Sequence, residues 1–188
     1  MRDADIRPAL RALIAKPNTT ILEEVGIDGG AVRADVLAVT PASMTCFEIK
    51  SDSDTIKRLA AQAAAYGRVF EQLVLVAGPR HITKALEVIP AWWGVVVAEG
   101  GPGDINLVTL REPQPNEGRD QLHLAAMLWR HEMLELLDGL GQARGIRSAN
   151  RDVIRRRLCD TFDLEQLAAA VRTRLLERGA GVGCKGLT

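Results

Sequence analysis

Residues 44–54 read MTCFEIKSDSD. The stretch sets Glu48 and Lys50, two residues apart, inside an otherwise apolar run containing Met44, Cys46, Phe47 and Ile49. Side chains two apart on a strand face the same way. Glu48 and Lys50 therefore share one face with Cys46, while Phe47 and Ile49 take the other and can enter a core. The plain alternative makes the two charges solvent-facing residues of an edge strand, blunting aggregation.

Working outward, three short runs have strand character: Thr20 to Ile27, Val32 to Thr40 and Met44 to Ser51. Asp28-Gly29-Gly30 separates the first two and Pro41-Ala42-Ser43 the next two, both turn chemistry, so an antiparallel meander is expected. Ahead of it, Ile6, Leu10, Leu13 and Ile14 recur at helical spacing, with Asp5 as a cap and Pro8 in the first turn. Behind it, Ile56, Leu59, Ala60, Ala63 and Phe70 form an apolar stripe that predicts a helix from Asp54 to Glu71, capped by Ser53 or Asp54. QLVLVAG then reads as a central, parallel strand.

Further on, the pattern predicts a short helix from His81 to Val88. A hairpin follows, from Trp93 to Ala98 and Ile105 to Leu110 around GGPGD, and then a polar linker from Arg111 to Asp120. Beyond the linker lie three expected helices. The first is Leu122 to Leu137. The second is Arg151 to Cys159, capped by Asn150 or Ser148. The third is Leu164 to Arg178, opened by the capping-box pair Asp163 and Gln166 and closed by Gly179 before a loose tail. The expected organisation is one domain over 1–112 and a helical extension over 119–180.

The 188 residues are 47% hydrophobic and 26% charged, with no net charge. This suits a globular protein and argues against a general electrostatic grip on nucleic acid or membrane. Charge divides at the linker: 12 basic and 15 acidic residues before residue 119, 12 and 9 after it. No segment has the length of a membrane span, and MRDADIRPAL lacks a secretion signal. Cys46, Cys159 and Cys184 form no CxxC pair, so three reduced thiols in a cytoplasmic protein are expected.

The chemistry concentrates around the opening stretch. Asp35 lies inside the apolar segment RADVLAV. If its strand pairs with the next through the Pro41 turn, Asp35 falls opposite Glu48 and Lys50, and Glu24 can join from the first strand. Carboxylates beside an ammonium suit a hard divalent cation and a phosphate.

Asp35, twelve residues, then Glu48-Ile49-Lys50, on helix–strand–strand–strand–helix–strand, resembles the PD-(D/E)XK nuclease superfamily. The resemblance implies an α/β fold with a restriction-endonuclease-like αβββαβ core, a mixed central sheet and Mg²⁺- or Mn²⁺-dependent hydrolysis of DNA. It assigns metal to Asp35, Glu48 and the Ile49 carbonyl, and catalysis to Asp35, Glu48 and Lys50. Gln62 and Tyr66, in QAAAY, match the Q-x-x-x-Y of RecB-like branches and would position substrate. The motif proline is Ala34 here. The early acidic ligand is Glu24, with Glu23 and Asp5 as alternatives. RADVLAV, FEIKSDSDTIKRLAAQAAAY, IPAWWG and LWRHEML together also resemble a bacterial and phage family without an assigned activity.

DNA is the expected partner, with a role in repair, recombination or phage processes. A homodimer or protein partner is a further expectation, since one site addresses one strand. The other reading keeps the fold as a non-catalytic module that binds nucleic acid or a protein.

Asp52 and Asp54 read as turn and cap residues, Trp92 and Trp93 as core packing, and His81, His123 and His131 as structural or exposed, without ligand spacing. Arg155-Arg156-Arg157 reads as a solvated helix face, with a DNA-contacting helix pair as its alternative.

Overall fold

The computed structural model describes residues 1–27 and 30–184, with side chains to residue 180. One six-stranded mixed sheet, ordered β1 to β6 in sequence, organises the chain. Its strands are β1 (Thr20–Ile27), β2 (Val32–Val39), β3 (Met44–Lys50), β4 (Gln72–Ala77), β5 (Gly94–Gly101) and β6 (Asp104–Arg111). β1, β2 and β3 form the antiparallel meander, β3, β4 and β5 run parallel, and β6 closes with β5 as an antiparallel hairpin. The chain is thus α/β with a mixed sheet and terminal helices, as expected at that level.

The turns follow their residues. Thr40 Oγ1 accepts from the backbone N–H groups of Ala42 and Ser43, closing the β2–β3 hairpin. Gly103, at φ +85°, adopts left-handed geometry in the β5–β6 turn. Of the expected β1–β2 turn, Asp28 and Gly29 lie outside the described residues; Gly30 has φ +94°.

Both faces of the central strands are covered. Helix α1 (Asp3–Ile14) lays Ile6, Leu10 and Ile14 against Val36, Phe47, Ile49, Val74 and Val76. Asp5 caps from inside the helix, accepting from Arg2 N–H, and Pro8 occupies the second turn rather than the first. The opposite face packs against α2 (Leu59–Tyr66), α3 (Pro79–Leu86) and four C-terminal helices. These are α4 (Gln121–Ala125), α5 (Arg130–Gly139), α6 (Arg151–Thr161) and α7 (Leu164–Cys184). β3 therefore divides as its alternation requires: Phe47 and Ile49 toward α1, Cys46 toward the larger core.

Several expected boundaries move. The helix expected over 54–71 covers Leu59–Tyr66 alone, because Asp54 Oδ2 accepts from the N–H and hydroxyl of Ser51 and holds the preceding residues in turns. The helix expected over 122–137 breaks into α4 and α5. Gly179 does not end α7, which runs on to Cys184. Residues 185–188 of the expected loose tail, and the Cys184 side chain, lie outside the described residues. The caps at Asn150 and at Asp163 with Gln166 form as the sequence predicts. The expected linker has neither helix nor strand from 112 to 120, yet it is fastened: Asn116 is buried and donates to the Gly67 and Phe70 carbonyls.

Candidate active site

β2 and β3 pair from Val39↔Met44 to Val36↔Phe47, and the ladder stops there. One step on, where the strands part, stand Asp35 and Glu48. The backbone N–H of Ile49 donates to Asp35 Oδ2 at 2.8 Å, so Asp35 reaches across the gap to β3. β3 is held from its other side by β4, with Glu48↔Leu75 and Lys50↔Ala77 in register. Its end is pinned by Gly78 N–H donating to the Lys50 carbonyl and by the His81 ring, 3.0 Å from the Ser51 carbonyl. The candidate residues thus lie at the carboxyl end of a parallel strand, where open α/β sheets place ligands.

Glu48 is 1% exposed and Lys50 7%. Their ion pair joins Lys50 Nζ to Glu48 Oε1. A charge so buried is stable only with partners, and α2 supplies more. Gln62 Nε2 donates to Glu48 Oε1 at 2.6 Å. The Tyr66 hydroxyl lies 2.7 Å from both Glu48 Oε2 and the Arg33 carbonyl, and its single proton serves one at a time. Gln62 and Tyr66 are one helical turn apart and so reach the same carboxylate. The Tyr66 ring is fixed by stacking on Trp93, centroids 6.4 Å apart, and by an edge contact with Phe70 at 5.8 Å.

The electrostatics are uneven. Burial pushes the Asp35 carboxyl up to about 7, the neighbouring Glu48 charge adds to this, and the Ile49 N–H, Lys50 and Arg7 oppose it. Burial, followed by the Glu48 charge, raises the Tyr66 hydroxyl too. Burial likewise pushes the Cys46 thiol well up, making it an inert core residue rather than a nucleophile.

The structure brings together Asp35, Glu48, Ile49, Lys50, Gln62 and Tyr66. It does not bring Glu24 into that set. Glu24 lines the same open cleft of about 550 Å³, but its carboxylate pairs with Arg7 at 2.8 Å and with Arg33 at 3.8 Å. Its backbone has φ +54°, left-handed geometry that costs a non-glycine residue energy. The alternatives do not replace it: Glu23 pairs with Arg11 and Arg7, and Asp5 accepts from Arg2 N–H. Among the described residues, no three His, Cys, Asp or Glu side chains are grouped as they stand to hold a metal ion.

Two residues beyond the sequence reading shape the cleft. Arg7 donates to the Asp35 carbonyl, Asp3 and Glu24, tying α1 to β1 and β2. Asp3 lines the cleft with Oδ1 inaccessible to solvent and without a partner. Their one sequence signal is the i, i+4 spacing of an acid and an arginine. Gln62 Oε1 is a second unpartnered, inaccessible acceptor in this cleft.

The other candidates fall elsewhere. Asp54 serves the Ser51 turn and Asp52 approaches the N-terminal ammonium at 3.5 Å. Trp93 is fully buried and Trp92 packs beside it. His123 contacts Asp120 at 2.7 Å. Arg155 pairs with Asp152. No described helix is long and apolar enough to cross a membrane.

Comparison with known proteins gives three findings. Residues 9–180 match the family of bacteriophage P4 protein cII. Protein cII of Enterobacteria phage P4 is 25% identical over 145 residues, covering 75% of this chain and 54% of that protein. The chain thus matches about half the length of this curated relative. A protein of unknown function from Silicibacter pomeroyi superposes with a TM-score of 0.45 at 17% identity, over 75% of this chain and 89% of that one, a similarity too low to argue from. On the family match, which spans nearly the whole sequence, the chain belongs to the bacteriophage P4 protein cII family.

Proposed function

We propose that this chain is a nuclease-like protein of the restriction-endonuclease-like type, hydrolysing phosphodiester bonds in DNA with Mg²⁺ or Mn²⁺. The observation that carries the reading is the convergence of Asp35, Glu48 and Lys50 where β2 and β3 part, with Gln62 and Tyr66 of α2 on the same carboxylate.

The donor set fits a hard cation. Asp35 uses Oδ2 for the Ile49 N–H, leaving Oδ1 for a ligand bond. Burial first and the Glu48 charge second push the Asp35 carboxyl up to about 7, and a cation bound there would favour its ionised form. The Ile49 carbonyl is the third oxygen the resemblance assigns. Glu48 takes part once Lys50 releases Oε1. A divalent cation supplies charge neutralisation at the phosphate and acidifies an attacking water.

The chain's own residues do the rest. Lys50, freed from Glu48, places its ammonium against the charge growing on the phosphoryl oxygens. Gln62 and Tyr66 orient Glu48 and fix the position of the phosphate. Glu24 and Arg7 line the mouth of the cleft.

The test is cleavage of single-stranded, duplex and branched DNA with Mg²⁺ or Mn²⁺, comparing wild type with Lys50→Ala and Asp35→Ala. Cleavage by wild type that falls at least about 100-fold in both variants is expected, given the scale of single electrostatic contributions to catalysis. Activity surviving both substitutions would sink the mechanism. One observation favours a second reading, a binding module on the same fold: Glu48 is already engaged by Lys50, Gln62 and Tyr66. Metal titration separates the two, since wild type that retains DNA but binds neither Mg²⁺ nor Mn²⁺ belongs to the second.

A further inference from the structure

The chain has no net charge, yet its charge is segregated. From Asp138 to Arg157 there are six arginines, Arg144, Arg147, Arg151, Arg155, Arg156 and Arg157, against two acids, Asp138 and Asp152, which pair with Arg147 and Arg155. Four of the six, Arg144, Arg147, Arg151 and Arg156, are exposed. Beside this segment stands the most exposed aromatic residue among the described side chains, Trp129, at 52%. The two features meet through hydrogen bonds. Arg130 donates to the carbonyls of Arg147 and Ala149, and Arg151 donates to those of Ala126 and Leu128, so the α5–α6 loop and the start of α6 are tied to the segment that carries Trp129.

Trp129 is exposed but immobilised. The Arg178 guanidinium lies 4.1 Å from its ring centroid. Arg178 is itself fixed by the buried Glu132 and the Met127 carbonyl, and Glu132 also accepts from Trp129 N–H at 2.7 Å. One face is thus backed by a cation, and over half of the residue still meets solvent. The indole packs against the Arg178 guanidinium and the tilted His131 ring, 5.5 Å between centroids, and a ring fixed in advance loses little entropy when something stacks on it.

A rigid aromatic surface among guanidiniums suits a ligand with flat apolar faces joined by regularly spaced negative charges. We infer that Trp129 and the arginines of the α5–α6 loop form a second binding surface, for single-stranded DNA, with a base stacked on Trp129 and phosphates held by Arg130, Arg147 and Arg151. The duplex presents its phosphates but hides its base faces, and an acidic peptide offers charge without rings; the indole discriminates against both. The choice of DNA rests on the proposed nuclease reading; the stacking surface does not.

The experiment is fluorescence anisotropy in EDTA at low salt, with a labelled oligothymidylate of about 15 nucleotides, a length matching common single-strand sites. The comparison is an abasic oligonucleotide of equal length. Wild type is expected to bind the oligothymidylate about 10-fold more tightly than the abasic strand, the scale of one stacked base. In Trp129→Ala that difference disappears while abasic binding stays. Arg147→Gln weakens both ligands together and lowers the salt slope by about 1.

Equal wild-type affinity for the two strands, no binding of either, or displacement by polyglutamate as effective as by oligothymidylate overturns the surface. Tighter binding of oligouridylate overturns its assignment to DNA. The abasic comparison uses only wild-type protein and holds whether or not Trp129→Ala folds. Absence of cleavage would fail the nuclease reading alone, because binding is measured without metal.

Discussion

Asp35 shows how a single side chain couples the site to stability. Its carboxyl is pushed up to about 7, by burial first and the Glu48 charge second, whereas in the unfolded chain it ionises near pH 4. Between those values the folded chain holds a proton that the unfolded chain has released. Stability is therefore lost as pH rises from about 4 to about 7 and does not recover above it. Asp35→Asn keeps an acceptor for the Ile49 N–H and carries no charge. In EDTA the variant is expected to match wild type near pH 4 and to melt higher at pH 8. Each tenfold change in proton affinity is about 1.4 kcal/mol and moves Tm by about 3–6 °C in a chain of this size. Thermal melts across that range check it, and a variant that loses stability at pH 8 refutes the assignment. Period-2 spacing made the shared face of Glu48 and Lys50 legible and the Pro41 turn brought Asp35 near them, whereas Gln62 and Tyr66 were placed by the resemblance. Glu24 lines the same cleft but is held by Arg7, and this was not legible: nothing in ILEEVG marks a non-glycine residue with left-handed backbone, and no local pattern announces its capture by Arg7.

At the scale of elements, the strands came through with boundaries shifted by a few residues, and the helices less well. The periodicity of 122–137 is that of one helix, but the carbonyls of Ala126, Met127 and Leu128 turn aside to accept from Arg151 and Arg178. Those donors lie 23 to 51 residues away, so no local window contains the cause. Gly179 misleads in the opposite sense. Glycine after a helical run usually marks a stop, yet here it serves close approach, because a Cβ there would lie 2.1 Å from Thr20 Cγ2 on β1. The missing side chain lets α7 settle against the edge strand. Gly179→Val is accordingly expected to cost about 1–3 kcal/mol, as overpacking does, although valine and glycine are both poor helix formers. Urea denaturation reads the change in midpoint. An unchanged or raised midpoint would mean that α7 does not bear on β1 in this way.

For the molecule as a whole, a composition shift at the linker suggests two parts, but the packing joins them. Leu167, Ala168, Val171 and Leu175 of α7 belong to one apolar core with Ile27, Val39 and Leu73 of the sheet. Polar contacts cross the same boundary. Glu71, on the approach to β4, accepts from Met44 N–H, Arg119 and Arg172, and Arg172 also donates to the Pro41 carbonyl in the β2–β3 turn. Asn116 and Arg119 fasten the intervening segment, so no flexible tether separates the helices from the sheet. Burial of each large apolar side chain is worth about 1.5–3 kcal/mol, and a whole domain retains about 5–15 kcal/mol. Exposing the sheet face that α7 covers would therefore consume most or all of the net stability. A fragment ending at residue 118 is expected to lack fixed tertiary packing: near-ultraviolet dichroism lost, hydrophobic dye bound, and no cooperative melt. The full chain is expected to unfold in one calorimetric transition whose van't Hoff and calorimetric enthalpies agree. Two resolved transitions, or a fragment with a dispersed amide spectrum, would show that the sheet and α1 fold on their own and that the helices are an accessory to the cleft rather than part of what holds β2 and β3 around it.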